Sequence, residues 1–182
     1  MWAAGLLDDL PNPHPAQIVN LSLGTPDDTD ALREAVRKVV DHGVLVVAAT
    51  GNTGGGLNYP AAYPGVLAVT AVAGPKATYQ PAYASKGPGT SISAYGGDTN
   101  ADQDQDGVRD GVLSTDLSGT EPGYGLRMGT SMASPQVAGI AALALSAGTP
   151  PQVLRSTLLS TATDLGVMGE DERFGRGLVS AR

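Results

Sequence analysis

Residues 18–49 carry the tightest constraint on the fold. Ile18-Val19-Asn20-Leu21-Ser22-Leu23-Gly24 reads as a short buried strand, and Thr25 to Asp30 as a turn rich in helix-capping residues. Ala31, Leu32, Ala35, Val36, Val39 and Val40 then recur at helical spacing. Asp27, Asp28 and Asp30 sit near the start of that helix, and Arg37, Lys38 and His42 near its end, as the helix macrodipole favours. Gly43 is the expected left-handed residue past the helix end, before a second apolar run, Val44-Leu45-Val46-Val47-Ala48-Ala49. Two strands joined by a helix are expected to be parallel, with a right-handed crossover.

The alternation continues downstream. Val66 to Val72 reads as a third strand, and Ser91 to Ala94 as a short fourth one bounded by Gly87, Pro88, Gly96 and Gly97. Asp98 to Asp110 is a polar, acid-dense loop. Ser134 to Ala147 is an Ala-rich helix with Pro135 placed in its first turn, where a missing N–H is tolerated. Pro151 to Thr161 closes the pattern as a last helix. The expected class is α/β: one domain over 1–182, with a mostly parallel sheet and helices on both faces.

Composition narrows the chemistry. With no cysteine among 182 residues there is no disulfide framework, thiolate metal site or cysteine nucleophile. A net charge of −7 argues against nucleic acid or an anionic membrane as partner. Apolar runs such as Val137 to Leu145 are about half a membrane span. The opening Met1-Trp2-Ala3-Ala4-Gly5-Leu6-Leu7-Asp8-Asp9 lacks the basic start of a secretion signal.

The segment that carries chemistry is Gly129-Thr130-Ser131-Met132-Ala133-Ser134-Pro135-Gln136-Val137-Ala138-Gly139. A serine between a glycine turn and an apolar helix has its hydroxyl at the positive end of the helix, beside free backbone N–H groups. That setting suits a nucleophile whose own N–H stabilises an oxyanion, and it equally suits an ordinary helix-capping serine. The whole string resembles the nucleophile motif of the subtilisin-like serine peptidases, the subtilases. Other segments fall in that family's order: Asn20-Leu21-Ser22-Leu23-Gly24, Val46 to Asn52, Tyr59-Pro60-Ala61, Val66-Leu67-Ala68-Val69 and Phe174-Gly175-Arg176-Gly177-Leu178-Val179.

The resemblance implies roles. Ser131 would be the nucleophile and Asn52 the oxyanion-hole amide. Ser22, Leu23 and Gly24 would pair with substrate backbone, and Ala49, Thr50 and Asn58 would wall the pocket for the residue before the cleaved bond. The implied activity is serine endopeptidase, with a protein or peptide substrate, no cofactor for the chemistry, and a secreted or extracytoplasmic setting. Two departures stand out: Gln136 lies where many members carry His, and Thr25 where Gly is common.

The family's triad also needs an Asp and a His, the His in a His-Gly-Thr-His-x-Ala-Gly setting. The two histidines here are His14, in a proline-rich loop, and His42, at the end of the first helix; neither has that setting. No Asp-x-Gly strand precedes them. The resemblance therefore implies the C-terminal portion of a single subtilase peptidase domain, incomplete at its N-terminal side. The missing N-terminal half becomes an expected partner, Ile18–Leu23 an apolar edge, and Trp2 to Leu6 part of a family helix. Expectations from other classes are a non-catalytic remnant and a calcium-stabilised peptide-binding or structural module.

Asp102, Asp104 and Asp106 with Gly107 follow a D-x-D-x-D-G calcium-loop pattern, with Asp110 at the ninth position. Leu113 stands where a calcium-binding helix–loop–helix needs a bidentate Glu, so that motif is excluded. The expected ligand set is Asp102, Asp104, Asp106 and Asp110, holding Ca2+ as a structural ion with an affinity of ~10⁻⁴–10⁻³ M. A solvated acidic loop is the competing reading.

Overall fold

A computed structural model of the protein describes residues 1–74, 79–118 and 120–181. Four strands form one parallel sheet in sequential order: β1 (Ile18–Leu21), β2 (Leu45–Ala49), β3 (Leu67–Val72) and β4 (Ile92–Tyr95). Every neighbouring pair is parallel, with Ile18 opposite Leu45, Val47 opposite Leu67 and Val69 opposite Ile92. Three α-helices cover the sheet: α1 (Asp30–Asp41), α2 (Thr130–Ser146) and α3 (Pro151–Ser160). The expected α/β class, with helices on both faces, is what the chain forms.

The two-residue period of the strands divides the core in two. Leu45, Val47, Leu67, Val69 and Ala71 face one way, against Ala133, Val137 and Ala141 of α2 and Leu154 and Leu158 of α3. Val46, Ala48 and Ala68 face the other way, against Val36 and Val39 of α1. Helix α2 packs against all four strands. On the outer side of β1 no described strand pairs with Ile18–Leu21, and an apolar groove beside it is lined by Met1, Val19, Leu21, Leu32, Val36 and Val46.

Helix α1 holds its polar face with exposed ion pairs, Arg37 to Asp41 at 3.0 Å and Lys38 to Glu34 at 2.8 Å. Its N-terminus is tied to the body through Asp28, which accepts from Arg33 at 2.5 Å and from the Tyr63 hydroxyl at 2.8 Å.

Several expectations are corrected. Trp2 to Leu6 is not an α-helix: a single 3-10 turn (Trp2–Ala4) ends at Gly5 in the left-handed region, with φ +72°. A side chain at Gly5 would meet Pro15 Cγ at 2.9 Å, so the chain packs too closely there for the helix to continue. Helix α2 begins at Thr130, four residues before the expected Ser134, so Pro135 lies in its second turn. The region between the acidic loop and Gly129 is a hairpin of β5 (Val112–Ser118) and β6 (Glu121–Arg127), antiparallel, with Leu113 opposite Leu126 and Thr115 opposite Tyr124. Its alternation of Leu113, Thr115 and Leu117 with polar residues was a readable strand signal.

The Arg33 guanidinium, first, and the Tyr63 hydroxyl, second, hold the Asp28 carboxyl below its ordinary 3.8. A depressed carboxyl contributes stability above its unfolded pKa and loses it as pH falls through the folded one. Asp28→Asn is therefore expected to lower the melting temperature above about pH 5 and to have no effect at strongly acidic pH. Equal effects at both extremes, in melts followed by circular dichroism, would contradict this.

Candidate active site

The site lies where the parallel strands end. Ser22 follows β1, Asn52 lies three residues beyond β2, and the N-terminus of α2 lies across both. Open α/β sheets place ligands at this carboxyl edge.

Gly129 makes the junction. Its φ of +143° is a conformation that favours glycine, and a Cβ there would lie 3.2 Å from Asn52 Nδ2. Its N–H donates to the Gly96 carbonyl at 2.9 Å and to the Tyr83 hydroxyl at 3.1 Å. Tyr83 in turn donates to the Gly97 carbonyl at 2.6 Å, and burial pushes its phenol well above the ordinary range. The turn before the candidate nucleophile is thus bound to the end of β4 through a side chain that sequence reasoning missed.

Asn52 is held by one end only. Its Oδ1 accepts from the Thr130 N–H and the Thr130 hydroxyl, both at 2.9 Å. The Thr130 hydroxyl itself accepts from the Gly51 N–H at 3.1 Å. With Oδ1 occupied twice, the amide orientation is fixed and Nδ2 is the end left to donate beside Gly129. This is the polarity an oxyanion donor requires.

Ser131 is half-buried, and its hydroxyl donates to the Ser22 carbonyl at 3.2 Å. The Ser22 hydroxyl donates back to the Ser131 carbonyl at 3.0 Å. The structure brings Ser131, Asn52 and Ser22 into one cluster. Leu23 and Gly24 run on as exposed chain, and the neighbouring Thr25 pairs with Tyr59 through 2.9 Å bonds in both directions. Asn58 is half-buried and packs against two glycines: a Cβ on Gly24 would meet its Cβ at 3.0 Å, and one on Gly51 its Nδ2 at 2.8 Å. Ala49 and Thr50, expected as pocket walls, are 2% and 0% exposed, so neither presents its side chain to solvent. The Thr50 hydroxyl is buried without a hydrogen-bond partner.

Neither histidine reaches this cluster. His42 caps the C-terminus of α1, at the edge where β2 begins. The five residues of β2 separate that edge from Asn52 by about 16 Å, at ~3.3 Å per residue. His14 lies in the exposed loop before β1, its N–H bonded to Asn12 Oδ1 at 2.9 Å.

The model of the subtilase family matches residues 1–177. The chain belongs to the subtilase family. It is 38% identical over 167 residues to the minor extracellular protease Epr of Bacillus subtilis, covering 89% of this chain and 23% of that protein. It is 37% identical over 175 residues to subtilisin of Bacillus pumilus, covering 91% of this chain and 55% of that one. Among solved structures, a protease from Pseudoalteromonas arctica superposes with a TM-score of 0.81 at 30% identity, over 99% of this chain and 54% of that one. A lanthipeptide protease superposes at 0.77 with 28% identity, over 93% and 61%. This subtilase thus spans about half the length of the B. pumilus subtilisin and of the P. arctica protease.

The acidic loop gathers three of its four expected ligands. Asp102, Asp104 and Asp106 each bring a carboxylate oxygen within 4.8 Å of the others. Gly107, at φ +87°, turns the chain around them. Asp110 is directed elsewhere: its Oδ2 accepts from the Gln103 N–H at 3.1 Å and from the Tyr79 hydroxyl at 3.4 Å. Asp102 Oδ1 is buried without a hydrogen-bond partner, a costly position for a carboxylate oxygen that a cation would satisfy. Carboxylate oxygens are the hard donors calcium takes, and three of them would leave the rest of a six- to eight-ligand shell to backbone carbonyls and water.

Replacing Tyr83 by Phe leaves the Gly97 carbonyl without its donor and the Gly129 N–H with one acceptor fewer. The expected cost is about 1–3 kcal/mol, read as a lower urea midpoint. An unchanged midpoint would show that the phenol does not brace the junction.

Proposed function

We propose that this subtilase is the nucleophile and oxyanion portion of a secreted serine endopeptidase. Ser131 Oγ attacks the carbonyl carbon of a peptide bond, and the negative charge that develops on the carbonyl oxygen falls between Asn52 Nδ2 and the Ser131 N–H. A base from outside this chain takes the Ser131 proton during the attack and gives it to the amine as the C–N bond breaks; the amine leaves, and water hydrolyses the acyl-enzyme on Ser131. Ser22, Leu23 and Gly24 align the substrate backbone at the edge of the cleft. The observation that carries the reading is the one-sided clamp on Asn52, which spends its Oδ1 on Thr130 and keeps its amide for the oxyanion.

The base and its orienting carboxylate come from residues outside this chain. Ser131 donates to a backbone carbonyl, and both histidines lie away from it. The matched relatives are longer, and the free side of β1 with its apolar groove suits the rest of such a domain. The chain alone is therefore inactive as a peptidase and retains a peptide-binding cleft. Loss of the base costs about 10⁶ in turnover in subtilisin itself. The extracellular setting draws on the name of the Epr relative, and no helix among the described residues is long and apolar enough to cross a membrane.

The test is a peptide anilide assay on the purified chain. Background hydrolysis is expected from the chain alone. A complete domain containing these residues is expected to be active and to lose that activity on Ser131→Ala. Subtilase-level turnover by the chain alone would overturn the external base, and an active Ser131→Ala domain would overturn the nucleophile.

We further propose that Asp102, Asp104 and Asp106 hold a structural calcium ion, on the strength of the unpartnered Asp102 Oδ1. Calorimetric titration is expected to show binding in the ~10⁻⁴–10⁻³ M range, with a higher melting temperature in millimolar calcium. Asp104→Asn is expected to weaken both, and the absence of both in the wild type would remove the ion.

A further inference from the structure

Helix α2 runs through a proline just after the candidate nucleophile. In an α-helix the N–H of residue 135 would donate to the carbonyl of Ser131, but Pro135 has no N–H and its ring crowds that carbonyl outward. The Ser131 carbonyl is thus left without its ordinary α-helical partner. A side chain from another element takes it up: the Ser22 hydroxyl, 3.0 Å away.

That hydroxyl is not free to choose its direction. Ser134, fully buried on α2, donates its hydroxyl to Asn20 Oδ1 at 2.5 Å. This sets the Asn20 amide so that Nδ2 donates to Ser22 Oγ at 2.9 Å. Ser22 Oγ, already accepting, directs its own proton to Ser131. The bonds form a closed, polarised loop from α2 through β1 and back to α2, with each donor and acceptor assigned. Reversing the Asn20 amide would present Oδ1 to Ser22 and draw the hydroxyl away from Ser131.

We propose that Ser22 and Asn20 are positioning residues for Ser131, replacing the helix hydrogen bond that Pro135 removes, with Ser134 setting their polarity. The Ser22 residue grips Ser131 twice, its hydroxyl on the Ser131 carbonyl and its carbonyl under the Ser131 hydroxyl. Together these fix the peptide plane and the side chain of the residue whose Oγ and N–H the reaction uses. Calling Ser131 the nucleophile rests on the peptidase reading; the hydrogen-bond loop does not.

The test reads the Ser131 carbonyl directly by NMR. Serine labelled with 13C at the carbonyl and methionine labelled with 15N isolate Ser131–Met132, the only Ser–Met pair in the sequence. Ser22→Ala is expected to move this resonance upfield, as carbonyls move on losing a hydrogen bond, and Ser22→Thr to return it. Asn20→Asp, nearly isosteric and out of contact with Ser131, is expected to move it in the same sense, because a carboxylate accepts the Ser22 proton. Should Ser22→Ala fail to fold, Asn20→Asp and Ser134→Ala read the same resonance with the Ser22 hydroxyl in place. A carbonyl unmoved in the folded variants, or one that Ser22→Thr does not restore, overturns the inference and leaves the peptidase reading standing. Failure of the peptide anilide assay in a complete domain would leave the carbonyl shift intact.

Discussion

The packing of α2 across the sheet is the interaction on which the rest depends. Val137 and Ala141 are fully buried against strands whose own core residues are fully buried too. Small residues such as Ala133 let the helix axis come close to the sheet. Because the strands are parallel and the helix enters from the β4 side through Gly129, its N-terminus has one place to lie, over the carboxyl ends of β1 and β2. Ser131 is carried there by apolar burial, before any polar contact is made.

Polar contacts then set the last ångström. Thr130 binds Asn52 and Gly51, Tyr83 binds Gly129, and Ser22 binds Ser131. Each joins α2 to a different strand end, so the region around Ser131 is fixed from three directions. These groups are partly or wholly buried, where an unmade bond is expensive, and that cost makes the arrangement single-valued. The acidic loop is organised differently, with surface carboxylates turned toward one another around Gly107. It lies just before the hairpin that leads back to Gly129.

Much of the fold was legible because the strands are short, apolar and separated by periodic helices. The four sheet strands and three helices appear near their expected bounds. The hairpin carries strand alternation in Leu113, Thr115 and Leu117, but those leucines are exposed and glycines interrupt it, so it lacks the buried apolar runs that mark the sheet strands. The local rule for proline admits Pro135 only to a helix's first turn and so starts α2 at Ser134, four residues after its actual start at Thr130. The missing hydrogen bond is compensated by Ser22, 113 residues earlier in the chain, and no local pattern records that. The same limit applies to Asp110, whose spacing suits a calcium ligand while its carboxylate meets Tyr79 and Gln103.

By itself the sequence determined the class of the fold, through its periodicity, and a resemblance to the subtilases, through the Gly129–Gly139 string and the segments in family order; that resemblance pointed to Ser131 and Asn52. It also determined that neither histidine stands in the setting of a triad base. Only the tertiary structure decided which end of the Asn52 amide is free, that Ala49 and Thr50 are withdrawn from solvent, and that Asn20, Tyr83 and Ser134 join Ser22 in the hydrogen bonds around Ser131 and Gly129. Those outcomes depend on hydrogen bonds between residues remote in the chain, and a donor's direction is settled only when every neighbour that competes for it is in place.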